Sequence, residues 1–357
     1  MTDRATMHRV PALLDALARD GHISDRQAVE AFVLARQGET ELPLHIRVLA
    51  GIAAVIACAC FVGFLWKLGL IDYDEPAGML LIGPAFIVAA IVLNRIPGVS
   101  QTTVGSFLLQ ASLAMMATGK LLFIIGFNES FSTPWAWSLA ALIVTAATYH
   151  LFPMSIDRFL SSFVVLLSVM VTTVVWGEET TLPHELLMTG FFGLQLTVGA
   201  VLLTHGRIRR EHLPLGYAIA FSLCVIGLTS PAYVATYPMV VNGMLAGGLI
   251  ALFAWAGGGV DILKRPPMVL ASLGAVLLAL ISAPALMLSI GAMIIGYAKH
   301  ERRLLILGAL LMPAFLWTYY YDPEVSLLMK SAILTVTGGA LLAGRFYMSY
   351  TGKSREA

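Results

Sequence analysis

From Leu44 onward the chain is one apolar stretch after another, most of them close to the roughly 20 residues that a helix needs to cross about 30 Å of hydrocarbon. The stretches fall near residues 47–69, 77–93, 103–126, 135–152, 159–176, 185–204, 215–230, 236–255, 267–281, 285–298, 303–320 and 326–347. This pattern predicts an all-α fold, a polytopic transmembrane bundle of about twelve helices over residues 45–350. Only Ser282, Ala283 and Pro284 separate the ninth stretch from the tenth, so the two read either as one tight hairpin or as a pair of half-spanning re-entrant helices. The first stretch follows a long polar start and runs too far for a cleaved signal segment, so the N-terminus is expected to stay on the mature protein.

Composition agrees. Hydrophobic residues make up 58% of the 357 and charged residues only 12%, against about a quarter in soluble domains. The expected main partner is therefore the lipid bilayer. A net charge of +1 gives no reason to expect nucleic acid. Cys58, Cys60 and Cys224 lie inside apolar stretches, where a thiol behaves as a small hydrophobe.

Basic residues carry orientation, because Lys and Arg accumulate in cytoplasmic loops. Arg47, Arg95, Arg158, Arg207, Arg209, Arg210, Lys264, Arg265, Lys299, Arg302, Arg303, Arg345, Lys353 and Arg355 all fall in alternate connections. The opposite connections hold Asp72, Asp74, Glu75, Glu129, Glu178, Glu179, Glu185, Asp322 and Glu324, and no arginine. Both termini are thus expected in the cytoplasm, with residues 351–357 as a short tail.

Residues 1–44 differ from the rest. Leu13, Leu14 and Leu17 lie on one face of a first short helix, which Gly21 closes, and Ser24 with Gln27 opens a second that carries Val29, Phe32 and Val33. A small cytoplasmic helical hairpin is expected. It either packs on the bundle or docks a partner.

Against an arginine-free outer side, Lys67, Lys120 and Lys330 stand out. An ionisable group within a span needs a partner for its charge and is by default a functional-site candidate. Glu129, Asp322, Glu324 and Glu185 are the acids expected to pair with Lys120 and Lys330, and the alternative is that both lysines snorkel to the outer interface. Trp317 and the tyrosines Tyr319, Tyr320 and Tyr321 close the eleventh stretch as an aromatic belt, with at least one ring free to face protein. The candidate outer-side polar site is therefore Lys120, Lys330, Glu129, Asp322, Tyr320 and Tyr321. Gln110, Gln195, Asn242, Tyr149 and His150 either line a solute path or bond between helices. No His-Glu-x-x-His, P-loop, Gly-x-Ser-x-Gly or dinucleotide fingerprint occurs, and His45, His184, His205 and His212 lack metal-site spacing. No enzyme activity, cofactor or metal is expected.

Two stretches carry a likeness: LPLHIRVLAGIAAVIACACFVGFL from Leu42, and YYYDPEVSLLMKSAILTVTGGALLAGR from Tyr319. In the second, the tyrosine run, Leu327, Leu328, Lys330, Ser331 and Arg345 match the pattern. Both resemble the bacterial integral-membrane family catalogued as domain of unknown function 4401. The resemblance implies a location in the bacterial inner membrane and a fold, and no reaction. It also implies partnership with other membrane proteins of unknown function encoded nearby, including the GDYXXLXY type. Two functions compete: a transporter of a small solute or lipid component, or a non-catalytic scaffold component that assembles with partner membrane proteins.

Overall fold

The computed structural model describes residues 44–321 apart from residues 73–74, 97–102, 180–183, 206–209, 230–237 and 281–283, and beyond them Leu328, Ser331, Thr335 and Gly339. Eleven α-helices occur among these residues: α1 (Leu44–Lys67), α2 (Ala77–Asn94), α3 (Thr103–Phe131), α4 (Ala136–Leu151), α5 (Ser155–Glu179), α6 (His184–Thr204), α7 (Leu213–Thr229), α8 (Pro238–Ala256), α9 (Pro266–Leu280), α10 (Pro284–Ala298) and α11 (Arg302–Tyr321). Short 3₁₀ turns at Arg210–His212 and Val260–Lys264 lead into α7 and α9. Each helix takes up one of the first eleven apolar stretches. The N-terminal hairpin, the C-terminal tail and most of the twelfth stretch lie outside the described residues.

Among the described residues, six helices are long and apolar enough to cross a membrane: α1, α2, α3, α5, α6 and α8. In α1 the exposed residues include Val48, Leu49, Ile52, Val55, Ile56, Phe61, Phe64 and Trp66, a surface that only lipid or another apolar partner can cover. The chain is a helical membrane protein, since helices satisfy their own backbone groups where no water can. The helices α4, α7, α9 and α10 are apolar but shorter. At 15 residues each, α9 and α10 extend only about 22 Å.

The described helices form two compact units. The first contains α1, the end of α2 from Ala85 and the start of α3 to Thr118. Within it the rings of Phe61 and Phe86 meet at 5.8 Å, and Ala54, Ala90 and Ala114 are buried. The second unit contains Leu70–Pro84 and everything from Gly119 on. There α2 packs closely on α3, because a Cβ at Gly83 would stand 2.9 Å from the Gly119 carbonyl oxygen. The core of this unit joins Met170 of α5, Phe192 of α6, Ile219, Leu223 and Ile226 of α7, Val241, Leu245 and Ala246 of α8, and Met287 of α10. The hairpin of α10 and α11 is equally close, for the Ser289 hydroxyl donates to the Gly308 carbonyl at 2.7 Å, and a Cβ on Gly308 would lie 2.8 Å from the Ser289 carbonyl oxygen.

Candidate functional site

Lys120 is 17 residues into α3 and 11 from its end. It is only 6% exposed. A helical side chain leans back toward the N-terminus of its own helix. That lean takes the Lys120 ammonium away from Glu129 and toward the first turn of α5. There Nζ donates to Asp157 Oδ1 at 2.8 Å, to Asp157 Oδ2 at 2.7 Å and to the Ser161 hydroxyl at 2.7 Å. An ammonium group has three N–H donors, and all three are used.

Asp157 and Ser161 are buried too, and the Ser161 hydroxyl lies 3.4 Å from Asp157 Oδ1. Two features suit this acid to its place. As the acidic residue in the first turn of α5 it stands at the positive end of the helix dipole. Ser161 is one turn further on, so its hydroxyl lies beside the carboxylate on the same face.

The polar face continues. Asp157, Ser161, Ser168 and Thr172 follow one another at intervals of four, seven and four residues, which keeps them within about 60° of each other around α5. Thr172 and Ser138 of α4 bond at 2.6 Å, and the Thr172 hydroxyl donates to the Pro134 carbonyl at 3.1 Å. Small residues on α4, among them Ala136, Ala140 and Ala141, are buried and allow this approach.

Arg158 points elsewhere. Its Nε donates to the Tyr149 carbonyl at 2.9 Å, in the last turn of α4, and its guanidinium carbon lies 5.0 Å from the Tyr149 ring centre. The Arg158 Nη1 and the Tyr149 hydroxyl both donate to the Glu211 carbonyl, at 3.5 Å and 3.1 Å. The Tyr149 ring stacks on His212 at 6.1 Å. At Tyr149 the cation satisfies a carbonyl that the C-terminus of α4 leaves open.

The expected partner of Lys120 is thus corrected: Asp157 holds it, rather than Glu129 or the outer interface. Glu129 is exposed, nine residues and about 14 Å further along the same helix. Lys330, Asp322 and Glu324 lie outside the described residues, as do the side chains of Tyr320, Tyr321 and Glu185. Among the other polar candidates, Tyr149 bonds between elements as above, while both amide atoms of the buried Gln195 are without a partner among the described residues. Sequence reasoning missed Asp157, which stands before the fifth stretch as read, and Ser161, although Ser161, Ser168 and Thr172 within that stretch share one helix face.

A family model described as Domain of unknown function (DUF4401) matches residues 43–351. No curated protein and no solved structure matches the chain.

Proposed function

The chain belongs to the DUF4401 family, and from that premise we propose that it is a multi-pass transporter of a small solute or lipid component in the bacterial inner membrane. Both termini lie in the cytoplasm in this reading, as the distribution of Lys and Arg indicates. One observation carries the proposal: an ammonium and a carboxylate, both buried, meet within a helical membrane protein. A buried ion pair is a poor device for stability, since an apolar pair of similar volume often holds a fold as well or better. Some interhelical contacts in the same unit are made by neutral hydroxyls alone, such as Ser138 with Thr172 and Ser289 with the Gly308 carbonyl. Charge at Lys120 and Asp157 therefore does more than hold helices together, and intramembrane charges mark solute and ion paths. The face that runs on through Ser168 and Thr172 supplies the remainder of a polar route.

Cysteine accessibility tests this. With Cys58, Cys60 and Cys224 replaced, Ser161→Cys, Ser168→Cys and Thr172→Cys are placed singly and treated with a membrane-impermeant thiol reagent in intact cells and in inverted vesicles. Transport requires water to reach the stripe, so the three cysteines react from at least one side. A stripe that stays unreactive on both sides while Glu129→Cys labels normally sinks the transport reading and leaves the scaffold role.

A further inference from the structure

We infer that Asp157 and Ser161 form a binding site for a primary ammonium group, that Lys120 fills it as an internal ligand, and that the site takes a small unbranched primary amine wherever the Lys120 ammonium is withdrawn from it. The inference builds on the reading of this contact as the working centre.

The acceptors set the chemistry. Two carboxylate oxygens and one hydroxyl oxygen surround Nζ at 2.7–2.8 Å, which are charge-assisted hydrogen-bond lengths. Their number equals the donors of a single –NH₃⁺, and their charge equals its charge with the sign reversed. A calcium or magnesium ion takes six or more oxygens, twice what this contact offers. A quaternary ammonium has no N–H to give.

No other described cation competes for Asp157. Arg158 is adjacent in sequence, yet its donors go to the Tyr149 and Glu211 carbonyls. Lys120 holds its place through tethering, which makes its binding intramolecular and its effective concentration high. Removing the tether while leaving the acceptors converts the contact into an open site. Truncation of lysine to alanine deletes three methylenes and the ammonium, which together have the size and shape of propylammonium.

The experiment uses the full chain in detergent or nanodiscs. Thermal melting of wild type, Lys120→Ala and Lys120→Ala/Asp157→Asn is followed with propylammonium, methylammonium or tetramethylammonium chloride at matched ionic strength. Lys120→Ala is expected to melt below wild type. Millimolar propylammonium restores more than half of the lost melting temperature, methylammonium restores less, and tetramethylammonium restores none. Wild type does not move at the same concentrations, because its site is filled. The double variant shows no rescue.

If Lys120→Ala cannot be extracted folded, the readout becomes the yield of monodisperse protein solubilised with each salt, with the same order expected. Equal effects of propylammonium and tetramethylammonium, rescue that survives Asp157→Asn, or no rescue in either readout would each overturn the inference. The outcome is independent of transport. Amine rescue in a protein whose α5 stripe is dry refutes the transporter alone, whereas a wet stripe without rescue refutes the ammonium site alone.

Discussion

Lys120 and Asp157 each forbid what the other permits. Alone, either charge would be left buried without its partner, and the surviving partner of a broken buried pair destabilises a protein by about 3–5 kcal/mol. Lys120→Met and Asp157→Leu are each expected to lose stability on that scale, whereas Lys120→Met/Asp157→Leu removes both charges and returns to within about 1 kcal/mol of wild type or exceeds it. Unfolding of the four proteins in mixed micelles measures the cycle; a double variant as weak as the sum of the singles would mean that other groups share these charges. Lys120 was legible in the sequence because a lone lysine inside an apolar stretch is conspicuous. Its partner was not. Asp157 precedes Arg158, which reads as a cytoplasmic loop residue, and the fifth stretch was expected to begin near residue 159. The helix begins at Ser155, two residues before the acid. Charge near a span boundary looks like the loop that the helix leaves, when here it belongs to the first turn.

At the scale of elements, α5 is fixed at its start by two consecutive residues that face different neighbours. Asp157 reaches α3, and Arg158 reaches the end of α4 and the turn that leads into α7. Arg158→Leu keeps much of the bulk and removes the donors, so the Tyr149 and Glu211 carbonyls lose their charged partner. Hydrogen bonds to charged groups contribute about 1.5–3 kcal/mol each at best, and the longer contact at Glu211 lies at the weak end. Backbone hydrogen exchange should accelerate in residues 148–152 and 210–216, with residues 284–321 unchanged. Unaltered exchange at both carbonyl-bearing turns would show that Arg158 is not what holds them. The sequence placed the helices well because an apolar run of this length has one solution in lipid. It placed the Arg158 contacts not at all, because Arg158 bonds Tyr149 and Glu211, 62 residues apart, at backbone oxygens that every residue possesses.

For the whole molecule, loop charge supports the orientation proposed above, but it cannot decide how deep α9 and α10 go. A full hairpin and a re-entrant one both return the chain to the side where Lys264 and Arg302 lie. Their lengths alone fall about 8 Å short of a typical hydrocarbon core. A bilayer that thins locally closes such a gap at fractions of a kcal/mol per Å, and the connection near Ser282 contains no charge that would resist exposure or burial. Leu280, at the end of α9, is 69% exposed, which makes it a clean reporter. With the native cysteines replaced, Glu129→Cys should label from outside in cells with a permeabilised outer membrane, and Asp261→Cys only after the inner membrane is opened. Leu280→Cys is expected to follow Glu129→Cys, as a pair of short crossing helices requires. Labelling that instead follows Asp261→Cys, or fails on both sides, would make α9 and α10 a half-spanning pair and remove two crossings without disturbing any other. The positive charges would then still alternate as the sequence shows, because the inside–outside rule counts the ends of a hairpin and is blind to its tip.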